Sequence, residues 1–280
     1  MNMGPLLAQK PKLALEEFLP RYCAICHADI GTARKIINDT LLYERSKDAD
    51  ISLTRYFTDL TGRWYRSLSA GDPDYSVYDD EFYFTDLWLC WLIYSRKYLR
   101  SLTKARTVAD EHSILDIVGS VPAVIDVGCG IGYSTAALAQ LFPRSKVYGL
   151  NLADTKQYRF CQEMSAQYKF TLVSELSSIP IKNGLVFASE YFEHIESPIN
   201  HLQDVIRCLR PKFFLIANSF NTYGLGHFKR YKHIDANGRT RVYDQSKLSR
   251  GFNSALKASG YTKVRTKLWN NKPALYVRAS

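Results

Sequence analysis

The sequence predicts an α/β chain in which a doubly wound, mostly parallel seven-stranded sheet follows a helical N-terminal region. Three observations predict it. Residues 1–110 repeat apolar positions at three- and four-residue steps, the period of an amphipathic helix. Residues 111–280 instead alternate short apolar runs with helical stretches, as strand–helix–strand units do. The first of those runs enters a glycine-rich turn, VIDVGCGIGYST, of the kind that binds ligands at the carboxyl ends of such strands.

In the N-terminal region, LALEEFLPRYCAICHADI, TARKIINDTLLYERS and FTDLWLCWLIYSRKYLRSL carry the helical pattern. Nine aromatic residues fall between Tyr75 and Tyr98, among Asp74, Asp79, Asp80, Glu81 and Asp86. They are expected to pack a helix against the second domain, and the polar stretch Thr103 to Ser113 is the expected joint. Ala123 to Val127 then reads as the first strand, Tyr133 to Phe142 as a helix stopped by Pro143, and Lys146 to Leu150 as the second strand. A helix from about Asp154 to Tyr168 precedes strands at Phe170 to Val173 and Leu185 to Ser189. Ser197 and Pro198 form a cap and first residue for a helix whose buried stripe is Ile199, Leu202, Val205, Ile206 and Leu209. Phe213 to Ala217 is the fifth strand, and Asp244 caps a helix with Leu248, Phe252 and Leu256 on one side. Tyr261 to Leu268 and Ala274 to Ala279 close the sheet as an antiparallel pair.

Composition narrows the class. With 46% hydrophobic and 23% charged residues, the chain reads as a globular protein. The longest apolar run, Leu87 to Tyr94, is 8 residues, well short of the roughly 20 that span a bilayer. No apolar leader opens the sequence, and Glu16 and Glu17 argue against a transit peptide, so a cytoplasmic protein without membrane contact is expected. Six cysteines are then expected as thiols. Cys23, Cys26 and His27 match a C-x-x-C-H pattern, but haem attachment needs export and zinc needs a second ligand pair, so two half-buried helix cysteines are expected instead. The net charge of +10 is one-sided: from Arg207 onward there are 16 Lys and Arg against Asp235 and Asp244. That half carries +14 and the first 206 residues −4, which favours an anionic partner such as nucleic acid.

The glycine turn is the most specific signal. Gly128, Gly130 and Gly132 follow a strand and open a helix, with Asp126 two residues before the first. Glycines there permit positive φ and close approach of a ligand, and the helix N-terminus offers free amides to an anionic group. The G-x-G-x-G spacing, preceded by an acid, resembles motif I of the class I S-adenosylmethionine (SAM) dependent methyltransferases, a Rossmann-like superfamily, over residues 120–280. That resemblance implies that Gly128, Cys129, Gly130 and Gly132 flank the amino-acid end of SAM and that Asp126 organises the turn. It also places Asn151 and Leu152 at the ribose, where the family has an acid, and Ser174 and Glu175 near the adenine. Asn151 accepts hydrogen bonds without charge, so a non-catalytic descendant of the family stays open.

The fourth-strand turn, ASEYFEHIESP, is similar to the S-E-x-L-E-H turn of small-molecule and RNA 3′-terminal ribose methyltransferases. Glu190, Glu193 and His194 make an E-x-x-E-H set, which in ubiquinone-pathway O-methyltransferases and small-RNA 2′-O-methyltransferases is a metal site. The resemblance therefore implies Mg²⁺ or a structural role, with Glu190 bordering the cofactor and Glu190 or His194 serving as base. No Asn/Asp-Pro-Pro-aromatic clamp and no Pro-Cys dipeptide occurs, which leaves oxygen as the expected acceptor atom. After the fifth strand, a loop carries His227, Lys229, Arg230, Tyr231 and Lys232, then Arg239 and Arg241, and Gly224 and Gly226 are expected to let it move. Basic groups among rings suit phosphate contacts and base stacking, so these residues are expected to bind the acceptor. Three readings follow: methylation of nucleic acid or another polyanion, small-molecule O-methylation under a helical lid, and a scaffold without turnover.

Overall fold

The computed structural model describes residues 4–45, 51–103, 113–264 and 273–279. The N-terminal region holds helices α1 (Gly4–Ala8), α2 (Pro11–Cys26), α3 (Ile30–Arg45), α4 (Ile51–Ala70), α5 (Glu81–Cys90) and α6 (Arg96–Ser101), with a 3₁₀ turn at Tyr75–Asp79 between α4 and α5. The sheet domain opens with α7 (Ile114–Val118), where Ser113 and Asp116 close a reciprocal capping box. It continues through β1 (Ala123–Val127), α8 (Tyr133–Leu141), β2 (Lys146–Leu150), α9 (Lys156–Tyr168), β3 (Thr171–Val173), β4 (Leu185–Ser189), α10 (Pro198–Leu209) and β5 (Phe213–Ala217). Then come β6 (Arg230–Ile234), β7 (Thr240–Asp244), α11 (Gln245–Ala258), β8 (Tyr261–Val264) and β9 (Ala274–Arg278).

Seven strands form one sheet in the order β3-β2-β1-β4-β5-β9-β8, with only β9 antiparallel to its neighbours β5 and β8. The fold class expected from the sequence is the one observed. The chain moves outward from β1 through β2 to β3, then returns to place β4 on the other side of β1. The crevice between the carboxyl ends of β1 and β4 is therefore the point where strand order reverses, the usual ligand site of such sheets.

The expected strands β1, β2, β4 and β5 coincide with those observed, because each is an apolar run buried on both faces. Ser197 and Asp244 stand at the N-cap positions of α10 and α11, but neither side chain closes the cap. The stretch after β5, expected as a loop, contains an antiparallel hairpin with Arg230 opposite Asp244 and Ile234 opposite Thr240. Its turn is made by Asp235, whose carboxylate accepts from the amides of Asn237 and Arg239, and by Gly238 in the left-handed region. Most of the joint expected at Thr103 to Ser113, and the end of the strand expected to reach Leu268, lie outside the described residues.

The N-terminal helices do not stand apart from the sheet. Phe18, Phe84, Trp88 and Trp91 join Tyr133 and Phe160 of α8 and α9 in one core on one sheet face. Leu60, Trp64, Tyr65, Val77 and Tyr83 join α10, α11 and the other face. Contacting both faces, the region passes over the carboxyl ends of the strands. Among the described residues, no helix is long and apolar enough to cross a membrane.

Candidate active site

The first wall of the crevice is the turn after β1. Asp126 is 2% exposed, and one carboxylate oxygen accepts from Ser134 Oγ at 2.6 Å and Thr135 Oγ1 at 2.7 Å. It thereby ties the start of α8 to β1. Burial raises its pKa to about 6, against the lowering effect of those two hydroxyls. The amides of Gly128 and Cys129 both donate to the Leu150 carbonyl, fastening the turn to β2. Gly128, Gly130 and Gly132 all take positive φ, but their surroundings differ. A Cβ on Gly128 would overlap the Tyr191 ring, and one on Gly132 would lie 2.8 Å from Cys161 Sγ. A Cβ on Gly130 would meet nothing nearer than Gln157 Oε1 at 3.9 Å, so this is where the turn faces open space. Cys129 is 4% exposed with its sulfur 3.6 Å from Cys161 Sγ, which leaves its backbone as the part that can meet a ligand.

Asn151, at the end of β2, donates from Nδ2 to the Gly130 carbonyl at 2.7 Å and accepts the Leu152 amide at 2.9 Å. A carboxylate cannot donate to Gly130, so the amide explains why an acid is absent here. Its oxygen keeps a second lone pair for a ribose hydroxyl. Leu152 beside it is 67% exposed, an apolar surface that a purine ring would cover, and Ser174 and Glu175 are exposed at the end of β3.

The second wall is the turn after β4. Glu190 holds a left-handed φ of 50° while its amide donates to the Ala217 carbonyl at 2.8 Å. Phe192–His194 form a single 3₁₀ turn, which sends neighbouring side chains in different directions. Glu193 is fully buried and accepts the Ser219 amide at 2.8 Å. Burial, and then the adjacent Glu190 carboxylate, push its pKa well above the carboxylate range, so it is held protonated. The His194 Nδ1 lies 3.0 Å from the Tyr78 hydroxyl, which donates to the Gly226 carbonyl at 3.3 Å. In that arrangement Nδ1–H donates to Tyr78 and Nε2 keeps its lone pair. Burial and the neighbouring His227 lower the His194 pKa to about 3, so the ring is neutral.

The third component is the segment after β5. His227 Nδ1 lies 2.9 Å from the Thr222 carbonyl, which can only accept, so Nδ1 carries the proton and Nε2 the lone pair. Burial lowers its pKa, and its ring stands perpendicular to His194 with centroids 4.8 Å apart. The N-terminal region clamps this segment: Trp64 Nε1 donates to the His227 carbonyl at 2.8 Å and Tyr65 to the Gly224 carbonyl at 3.1 Å. Gly226 has a φ of 79°, and a Cβ there would lie 2.6 Å from His194 Nδ1. The glycine expected to give the loop mobility instead permits close approach of Tyr78 and His194. Tyr78 is itself fixed because its carbonyl accepts from Gln157 and the next residue, Asp79, accepts the Lys156 amide at 2.9 Å.

The structure thus gathers Glu190, Glu193, His194 and His227 in one cluster, but not as a metal site. Among the described residues, no three His, Cys, Asp or Glu side chains converge to hold an ion. Glu193 is turned toward the Ser219 amide, and the Mg²⁺ expectation gains no support from this arrangement. The expected acceptor residues also part company. Tyr231 is fully buried with its hydroxyl donating to the Glu193 carbonyl, Lys229 lies over the Tyr65 and Tyr223 rings, and Lys232 pairs with Glu196 at 2.8 Å. Arg230 is exposed. Trp64, Tyr65 and Tyr78 escaped the sequence reading, as did Asn218, which follows β5. Of these only Tyr78 carried a signal, the aromatic crowding that begins at Tyr75, which reads equally as core.

Two buried atoms at these strand ends, Glu193 Oε2 and Asn218 Oδ1, have no hydrogen-bond partner. The open side of Gly130 and the exposed Leu152 follow β1 and β2, so an unfilled backbone approach, an apolar surface and orphaned polar atoms all follow the carboxyl ends of the central strands, features that a polar ligand carrying an apolar ring would satisfy.

Residues 125–217 match the family model described as a methyltransferase domain. The chain is 31% identical over 90 residues to trans-aconitate 2-methyltransferase of Rhodopseudomonas palustris (strain BisA53), covering 31% of this chain and 34% of that one. It is 27% identical over 120 residues to malonyl-[acyl-carrier protein] O-methyltransferase of Hahella chejuensis (strain KCTC 2396), covering 41% and 43%. The chain thus spans less than half the length of the curated relatives it matches. A candidate O-methyltransferase structure from Nostoc punctiforme PCC 73102 superposes with a TM-score of 0.51 at 11% identity, covering 79% of this chain and 69% of that one. The chain has the class I SAM-dependent methyltransferase fold.

Proposed function

We propose that this protein is a SAM-dependent methyltransferase that methylates an oxygen of a small hydroxylated acceptor. The observation that carries the proposal is the pairing, across the strand-order reversal, of an open glycine turn with two buried neutral imidazoles. The Gly130 backbone, Asn151 and Leu152 would hold SAM, which supplies a methyl group on a sulfonium sulfur. His227 is the better-prepared base: its Nδ1 proton is fixed on a carbonyl, so Nε2 is ready to take the acceptor's hydroxyl proton as the oxygen–methyl bond forms. Glu190, whose charge raises the His227 pKa, would stabilise the resulting imidazolium. His194, aligned by Tyr78, presents a second imidazole lone pair for orienting the hydroxyl. Enclosure by Trp64, Tyr65 and Tyr78 favours a compact acceptor, and water exclusion strengthens these interactions. The one-sided charge favours a second reading, in which the acceptor is nucleic acid or another polyanion.

Calorimetry with SAM and S-adenosylhomocysteine, followed by transfer from methyl-labelled SAM into separated small-molecule, RNA, DNA and protein fractions, tests this. Binding plus label in a small-molecule fraction is expected. Label in nucleic acid would select the second reading, binding without transfer would mark a scaffold, and no binding would sink the proposal.

A further inference from the structure

We infer that a groove outside the crevice, between α10, α11 and the β6–β7 hairpin, is a binding site for single-stranded nucleic acid. Its volume is about 690 Å³, within the range of ligand clefts, and no carboxylate lines it. Lys247 and Arg250, one turn apart on α11, supply its charge. Neighbouring cations are engaged: Lys232 with Glu196 at 2.8 Å, Arg207 with Asp204 at 2.6 Å, Arg241 with Asp235 at 3.5 Å. Lys247 and Arg250 form no ion pair among the described residues, so two cations face the groove uncompensated.

The second, independent observation is aromatic. His233 and Tyr243, diagonal neighbours on one face of the hairpin with ring centroids 6.2 Å apart, line the same groove. His233 Nδ1 is closed off from solvent and has no hydrogen-bond partner, a polar atom that a ligand group would satisfy. Gly251 shapes the contact. A Cβ there would lie 3.2 Å from the Tyr243 ring and 3.3 Å from Ile199, so glycine lets the ring settle onto α11. Free cations beside rings suit a phosphate followed by a base, the combination that binds single strands without reading sequence. A strand fits better than a free nucleotide. The groove is open and lies mostly inside the +14 half of the chain, which a chain of phosphates would engage more fully than one phosphate. This inference stands whether or not the methyl-transfer reading does.

Fluorescence anisotropy of a labelled ten-nucleotide oligouridylate, titrated with the full chain at several salt concentrations, is the test. Binding that weakens with salt is expected. Lys247→Gln with Arg250→Gln should lower affinity about tenfold or more and flatten the log K against log salt slope by about 1.4, two phosphate contacts on a single strand. Tyr243→Ala should weaken binding about fivefold or more while leaving that slope unchanged. Thermal unfolding midpoints within a few degrees of the parent, by about 5 °C at most, establish that each variant folds. The control, Arg144→Gln with Lys146→Gln, removes the same charge from an exposed edge remote in sequence and should leave affinity within about twofold. An equal loss in that control would reduce the effect to diffuse charge and overturn the site. So would competition by uridine monophosphate at the strand's own affinity, or no binding by the parent chain. Tighter binding to phosphatidylserine vesicles than to the strand, lost in the Lys247/Arg250 variant, would also overturn it.

Discussion

The turns after β1 and β4 face one crevice and are built on opposite terms. The β1 turn is nearly all backbone: three left-handed glycines, one acid spent on Ser134 and Thr135, and amides tied to Leu150. The β4 turn and the segment packed on it keep a protonated carboxyl and two neutral imidazoles out of water. One turn offers shape and the other offers protons. The difference teaches where each half of a transfer reaction belongs. On the proposed reading, a cofactor would be held by backbone that cannot rearrange, and the acceptor would meet groups whose protonation has been set by burial.

The largest effect should come from breaking the shape. Gly128→Ala drives a Cβ into the Tyr191 ring at positive φ, and loss of folding or a stability loss of several kcal/mol is expected in urea unfolding. Gly130→Ala sharpens the comparison, because open space leaves only the backbone strain of about 1–2 kcal/mol. It should fold, yet bind S-adenosylhomocysteine at least about tenfold more weakly in calorimetry, since its Cβ enters the space assigned to the ligand. Normal binding by that variant would move the ligand elsewhere.

Breaking the proton side comes next. His227→Gln should cut turnover by about 10²–10⁴ with S-adenosylhomocysteine affinity kept, the signature of a base that touches the acceptor and not the cofactor. Glu190→Gln should cost about tenfold or more. If His194→Gln is the more damaging of the two histidine variants, the base assignment reverses.

How legible this was follows the same division. Apolar runs and glycine spacing are local, so the sheet and the β1 turn could be read from the chain directly. The β4 turn was legible in composition but not in direction. Glu190, Glu193 and His194 suggest a shared ion, yet in the 3₁₀ turn Glu193 faces Glu190 and the Ser219 amide while His194 turns to Tyr78. His227 was visible as one basic-loop residue, and its role depends on how the loop folds back to bring the Thr222 carbonyl to it and on the distant Trp64 clamp. Tyr78 reaches His194 across 116 positions, which no periodicity encodes. The hairpin was missed because HFKRYKHI lacks apolar alternation, although Asn237-Gly238 carried a turn signal.

Titration separates the two walls by sign. Folding raises the Asp126 pKa from 3.8 to about 6, so the folded state holds the extra proton and stability falls as pH rises through that window. Folding lowers the His194 pKa from 6.5 to about 3, so the unfolded state holds the extra proton and stability falls as pH drops through that window. Measured against the parent by urea unfolding from pH 4 to 6, Asp126→Asn should gain up to about 1.4 kcal/mol per unit of rising pH. His194→Gln should gain a similar amount per unit of falling pH. Slopes of the same sign would dissolve the contrast.

The smallest effect tests whether the lid belongs to the proton side. Tyr78→Phe keeps the ring packed against Trp64 and Tyr83 and removes only the hydroxyl between His194 and Gly226. Stability should fall by about 1 kcal/mol, one hydrogen bond's worth. Turnover should fall severalfold, while S-adenosylhomocysteine affinity and the acceptor's KM hold, because the loss is orientation of an imidazole and not binding. His194→Gln should then abolish most of the further effect of Tyr78→Phe, since the hydroxyl acts through that ring. Additive losses in the double variant would mean that Tyr78 touches the acceptor itself, and the N-terminal region would contribute to the reaction directly.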